Sequence, residues 1–89
     1  MSSIFISYST KNKTQVNLLA DDFETLGHQI WFDFKLTGGQ AWWDQILESI
    51  RKCDLFVIAL TPEALDSVPC QLERAYAHRL GKNILPILV

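Results

Sequence analysis

An open, parallel α/β sheet is the fold class that the sequence predicts. Short apolar runs rich in β-branched and aromatic residues alternate along the chain with segments whose apolar residues recur every three or four positions. The connections between these segments are short, so the order is β-α-β-α-β-α-β. This order requires right-handed crossovers between parallel strands, with helices covering both faces of the sheet.

Length and composition allow one compact domain and exclude several classes of function. The chain has 89 residues, of which 48% are hydrophobic and 20% are charged, which suffices for a single core. Eight Lys and Arg against ten Asp and Glu leave a net charge of −2, which argues against direct nucleic-acid binding. No apolar run approaches the roughly 20 residues of a membrane span, and no secretory leader opens the chain.

The cysteines and histidines predict neither a disulfide scaffold nor a metal centre. Cys53 and Cys70 are too few for a small secreted scaffold, so we expect reduced thiols in a cytoplasmic protein. Neither cysteine stands at zinc-ligand spacing from another Cys, and His28 and His78 stand alone.

Two strands and two helices are predicted in the first half of the chain. Residues 3–7 form the first strand and residues 29–33 the second, and Gly27 stands where a left-handed residue ends the first helix. The loop at residues 34–39 ends in two glycines, which either turn the chain or cradle a phosphate with their N–H groups. The inward stripes are Val16, Leu19, Ala20, Phe23 and Leu26 in the first helix, and Trp43, Ile46, Leu47, Ile50 and Cys53 in the second.

The second half adds a central strand, a third helix and a fourth strand. Residues 55–60 are wholly apolar, as in a strand covered on both faces. A brief helical turn begins at Thr61-Pro62, and Ser67 is the predicted cap of the third helix, which Gly81 ends. We expect this helix to turn Leu72, Ala75, Tyr76 and Leu80 inward.

The fourth strand, residues 84–89, predicts that the domain continues. A buried parallel strand rarely ends a fold, because its face and its outer edge both need cover. Pro86 lacks an N–H, which suits an edge strand or a bulge. We therefore expect at least one more helix and strand, and further domains or subunits, after Val89.

Ligands of open parallel sheets bind beyond the carboxyl ends of the strands, where the strand order reverses. A phosphoacceptor receiver would need acidic residues after the first and third strands to hold magnesium. This sequence has Ser7-Tyr8-Ser9 and Thr61-Pro62 at those places, so that function is excluded.

Glu73 is the carboxylate of greatest interest. It lies in the first half of the third helix, three residues after Cys70 and on the same face, where it can flank the core and point into a cleft. The alternative is a solvated helix glutamate that pairs with Arg74, Arg79 or Lys82.

Several segments, taken together, resemble the Toll/interleukin receptor (TIR) domain, particularly its bacterial members. Residues 4–9, Ile-Phe-Ile-Ser-Tyr-Ser, resemble the opening box of that family, and residues 31–42 resemble its second box with the following loop. Residues 55–62 resemble the third strand with its Thr-Pro exit, residues 67–73 the Ser, aromatic, Cys, Glu signature, and residues 81–87 the fourth strand. The resemblance spans all 89 residues and implies a flavodoxin-like open parallel sheet that lacks the last helix, strand and helix of the family.

The resemblance implies an NAD+ glycohydrolase or cyclase that cleaves the nicotinamide–ribose bond. Such an enzyme would be a cytoplasmic bacterial immune effector in antiviral defence, gated by self-association of TIR domains, with NAD as substrate and no separate cofactor. Glu73 matches the catalytic glutamate of the family. The residues implied to contact the substrate are Tyr8, Ser9, Thr10, Asp33, Lys35, Gly39, Trp42 and Cys70.

A second interpretation stays open. Some TIR domains only recruit other TIR domains, and such a signalling module has no use for a carboxylate in a cleft. The sequence also departs from active members at Pro69, where they carry a tryptophan four residues before the glutamate. That stacking surface is either lost or supplied by Trp42 or Trp43.

Overall fold

The computed structural model describes residues 2–32 and 42–88. Within them, strands and helices follow one another in the predicted order, with two helices between the third and fourth strands and one 3₁₀ turn at Thr10–Asn12 before the first helix. The predicted loop at residues 34–39 lies outside the described residues. The strands are β1 (Ser3–Ser7), β2 (Gln29–Phe32), β3 (Leu55–Leu60) and β4 (Asn83–Leu88), and the helices are α1 (Lys13–Thr25), α2 (Trp42–Lys52), α3 (Pro62–Asp66) and α4 (Val68–Arg79).

All the strand pairs are parallel, and the order across the sheet is β2-β1-β3-β4. The chain moves outward from β1 to β2 and then crosses back to β3 on the other side of β1. The strand order therefore reverses between β1 and β3, and a ligand crevice is expected at their carboxyl ends. The predicted open parallel α/β sheet is confirmed.

Alternation along β1 divides the core between the two faces of the sheet. Ile4 and Ile6 pack on the face that α1 covers. Phe5 lies on the opposite face, among apolar side chains of α2 and α4. Its ring stacks on Phe56 of β3, with centroids 5.6 Å apart and planes 8° from parallel. Ser7, two residues after Phe5, is therefore directed at the face that carries α4.

The predicted helix starts at Thr61 and Ser67 and the predicted glycine exits at Gly27 and Gly81 are confirmed. The Thr61 hydroxyl accepts a hydrogen bond from Ala64 N at 3.0 Å and caps α3. Ser67 does the same for α4 through Cys70 N. Gly27 and Gly81 have φ angles of +93° and +71°, so both helix exits use the left-handed conformation that favours glycine.

The predicted inward face of α4 is wrong. Leu72 is 52% exposed, and the buried residues of this helix are Cys70, Glu73 and Ala77, spaced three and four apart. The predicted inward residues and the observed ones both have helical spacing. Among the observed ones, Glu73 has a polar partner on the sheet. Ala75 and Leu80 are exposed as well, and Tyr76 is half-buried.

Two smaller expectations also fail at helix ends. Leu26 was expected to face inward from α1, but it is the residue after the last helical one and is 73% exposed. Cys53 is buried as expected, yet it follows α2 instead of belonging to it. In both cases the chain has already left the helix, so the helical period no longer sets the direction of the side chain.

β4 lies at one edge of the sheet that the described residues form. Its register against β3 is continuous, with Pro86 opposite Ile58, so the proline stands in an edge strand and makes no bulge. None of the helices within residues 2–32 and 42–88 is long and apolar enough to cross a bilayer.

Candidate functional site

A buried carboxylate lies where α4 crosses the carboxyl end of β1. Glu73 has no exposed surface, and its Oε1 accepts a hydrogen bond of 2.7 Å from the hydroxyl of Ser7. The alternative of a solvated helix glutamate is therefore wrong. Lys82, one of its supposed partners, instead donates to the backbone carbonyls of Arg51 and Cys53 at 2.7 and 2.8 Å.

The local sequence explains how Glu73 reaches this position. The Ser67 cap sets the first turn of α4, which puts residues 70, 73 and 77 on one face. That face packs on the sheet beside the strand that ends at Ser7. Glutamate is almost never fully buried unless it is paired, and the serine hydroxyl is a partner that the sheet supplies.

Ser7 is a site residue that the sequence analysis did not identify. It is the last residue of β1 and is 1% exposed. The sequence contains one indication of this role, because the serine that ends β1 follows three apolar residues and stands two positions after the inward Phe5. The acidic partner was not visible, because it lies 66 residues further along the chain.

Three other predicted contact residues, Tyr8, Ser9 and Cys70, have different surroundings in the structure. Tyr8 is buried in the cluster under α1. The Ser9 hydroxyl accepts a hydrogen bond from Lys11 N and caps the 3₁₀ turn that Thr10 begins. Cys70 is buried one turn before Glu73 on the same face of α4.

The remaining predicted contacts fall outside what the structure describes. Asp33, Lys35 and Gly39 belong to residues 33–41, and the side chains of Thr10 and Trp42 are outside it too, although Trp42 is the first residue of α2. Their assignment to a substrate site stays a prediction. It likewise stays a prediction that Trp42 or Trp43 supplies the stacking surface which active members have at the position of Pro69.

A polar cleft of about 340 Å³ opens beside the same end of the sheet. It lies between the exit of β1 and the exit of β3, which is where the strand order reverses. A hydrogen bond of 2.7 Å from Thr61 Oγ1 to Asn12 Oδ1 joins these two exits. The lining residues are Ser9, Lys11, Pro62, Glu63, Asp66 and Ser67. The expectation that Glu73 points into a cleft is not met here, because its side chain is fully buried and does not line this one.

Metal and thiol chemistry have little support in the described part of the chain. No group of three or more His, Cys, Asp or Glu there could hold a metal ion. Both cysteines are buried free thiols. Burial raises the pKa of the Cys53 thiol, which disfavours its reactive thiolate form.

Comparisons with known proteins agree with this architecture. A family model described as a TIR domain matches residues 4–89. Among solved structures, the TIR domain of the Toll-related receptor TRR-2 from Hydra magnipapillata superposes with a TM-score of 0.86 at 19% identity, over 99% of this chain and 70% of that one. None of the curated proteins compared with the chain matches it.

Two enzymes share the fold at similarly low identity. The CMP N-glycosidase BcmB of Clostridium botulinum has a TM-score of 0.76 at 22% identity, with 97% of this chain and 68% of that one covered. A 2-desoxiribosyltransferase from Leishmania mexicana has a TM-score of 0.78 at 18% identity, with 99% and 65% covered. At these identities the likeness extends to the fold alone.

Proposed function

This chain belongs to the TIR domain family, and from that premise we propose that it is an NAD+ glycohydrolase or cyclase with Glu73 as its catalytic carboxylate. The observation that carries the proposal is the buried Glu73 carboxylate, hydrogen-bonded to Ser7 at the carboxyl edge of the sheet. The names of two neighbours in fold, an N-glycosidase and a deoxyribosyltransferase, fit the same class of glycosyl chemistry.

One carboxylate suffices for this reaction. The nicotinamide ring of NAD+ is already cationic, so it takes the electron pair of the broken C–N bond and leaves as a neutral molecule without a general acid. Glycosidases that expel an alcohol need a second carboxyl group for that protonation. The single buried carboxylate of α4 is therefore compatible with the chemistry.

The role of Glu73 follows from the charge that develops. As the ring leaves, the ribose C1 becomes an oxocarbenium-like cation, and a preorganised carboxylate stabilises it more strongly than it stabilises the ground state. A low-dielectric site strengthens this interaction. Water then adds at C1 and loses a proton to give ADP-ribose, or a ring nitrogen of the adenine adds instead and closes a cyclic isomer.

The surroundings of the catalytic group are part of the proposal. We place the substrate across the carboxyl ends of β1 and β2, with contacts from Ser9 and Thr10 on one side and from Asp33, Lys35, Gly39 and Trp42 on the other. Tyr8 and Cys70 are almost fully buried, so in this proposal they support the site and do not touch the substrate. TIR domains commonly associate with one another, and we propose that such assembly gates turnover in a cytoplasmic immune effector directed against viruses.

The direct test is release of nicotinamide from NAD+ by the concentrated full chain. Glu73→Gln keeps the volume of the side chain but removes its charge, so turnover should fall by at least about 100-fold, as when one strong transition-state contact is lost. Glu24→Gln, on the exposed surface of α1, is the matched control and should keep full turnover. Full turnover by Glu73→Gln would refute the assignment.

A non-catalytic TIR–TIR signalling module is the second candidate. It is favoured by Pro69, which stands where active members of the family carry a tryptophan. Concentrated, self-associated wild-type protein that releases no nicotinamide would support this candidate over the enzyme.

A further inference from the structure

We propose that Ser7 is the positioning residue of the catalytic carboxylate, an inference that rests on the proposed glycohydrolase function. Its hydroxyl donates to Glu73 Oε1 at 2.7 Å, within the range of short O–H···O⁻ hydrogen bonds. Both residues are buried, so the hydrogen bond is shielded from competing water.

The donor stands on one of the two central strands of the sheet. β1 is paired on both sides, with β2 and with β3, and Ser7 is in register with Ile58 of β3. Its hydroxyl therefore extends from a strand that backbone hydrogen bonds hold on both sides, whereas a surface loop would hold the donor less rigidly. Groups on strands and helices hold a reacting side chain within the few tenths of an ångström that catalysis requires.

The acceptor gains two properties from this contact. A carboxylate offers about four acceptor positions on its two oxygens, and the hydrogen bond at Oε1 restricts the orientation of the group. Donation by a hydroxyl also stabilises the ionised form in a site without bulk water. The contact thus orients Glu73 and offsets part of the cost of burying its charge, and a group that stabilises a sugar cation needs both.

The expected defect is specific to the chemical step. Orientation of Glu73 matters most when the positive charge has developed, so loss of the hydroxyl lowers kcat and leaves ground-state binding of NAD+ nearly unchanged. A merely structural role of Ser7 would instead lower stability, with no selective effect on kcat.

Three variants of the full chain separate these roles. Ser7→Ala should lower kcat for nicotinamide release about 10- to 100-fold with KM changed less than about threefold. Ser7→Thr keeps the hydroxyl and suits a strand, so its kcat should stay within about threefold of wild type. The matched control is Ser49→Ala, which removes another buried hydroxyl, one that donates to the Gln45 carbonyl of its own helix.

The outcomes distinguish the inference from the function on which it rests. If Ser7→Ala and Ser49→Ala have equal kcat, the positioning role is overturned while the glycohydrolase stands. The positioning role is also overturned if Ser7→Ala lowers only the melting temperature, or if the kcat of Ser7→Thr is as low as that of Ser7→Ala. If Ser7→Ala does not fold, Ser7→Cys, a weaker donor of similar size, should show an intermediate kcat. A wild-type chain without turnover overturns both proposals.

Discussion

Replacing Lys82 by methionine should destabilise the fold without touching the candidate site. The Lys82 ammonium donates to two backbone carbonyls at the end of α2, those of Arg51 and Cys53, at 2.7 and 2.8 Å. The last carbonyls of a helix have no partner within the helix, and a cation there also interacts favourably with the helix dipole. Lys82 thereby joins the α4–β4 connection to the α2–β3 connection.

The magnitude follows from these two hydrogen bonds. A hydrogen bond to a charged group contributes about 1.5–3 kcal/mol when it is shielded. One of the two here is exposed and the other is only partly buried, so solvent reduces their sum to about 1–2 kcal/mol. For a domain of this size, that loss lowers the melting temperature by roughly 5–15 °C.

Urea unfolding followed by circular dichroism measures this loss, and Lys52→Met is the matched control. The ammonium of Lys52 lies 3.3 Å from a Glu48 carboxylate oxygen, on an exposed helix surface. Such exposed ion pairs contribute little to stability, because solvent screens them. Equal unfolding free energies for the two variants would refute the role assigned to Lys82.

Two further predictions concern the exit of β3 and the end of α2. Thr61→Val removes both the α3 cap to Ala64 N and the hydrogen bond to Asn12, so urea unfolding should show a loss of about 1–2 kcal/mol; an unchanged midpoint would contradict this. Because burial raises the pKa of the Cys53 thiol in the folded state, its contribution to stability is present at neutral pH and decreases as the pH rises through the raised value. Alkylation by iodoacetamide should accordingly be slower in the folded than in the urea-unfolded chain at pH 8, and equal rates would contradict it.

The fold was accessible from the sequence because its determinants are local. Alternation in residues 3–7, the apolar run at residues 55–60 and the caps at Thr61 and Ser67 each depend on neighbours within a few positions. Gly81 marks the end of α4 for the same reason, since its left-handed φ is a requirement of one helix turn.

The face that α4 turns toward the sheet could not be predicted from local sequence patterns. The stripe through Leu72 and the stripe through Glu73 both have helical spacing, and hydrophobicity favours the first. The face that packs inward is the one whose carboxyl group meets a hydroxyl supplied by β1, 66 residues earlier in the chain. No local pattern contains that information, so the sequence indicated Glu73 as a candidate but placed it beside the core instead of within it.

The contact between Ser7 and Glu73 has a consequence for the order of folding. The two residues come from the first strand and from the last helix, so no N-terminal fragment shorter than 73 residues contains both. A contact of such long sequence separation closes a long loop, which costs conformational entropy and slows folding. During synthesis on the ribosome, the carboxylate can therefore meet its hydroxyl only after the residues of β1, β2 and β3 have all been made.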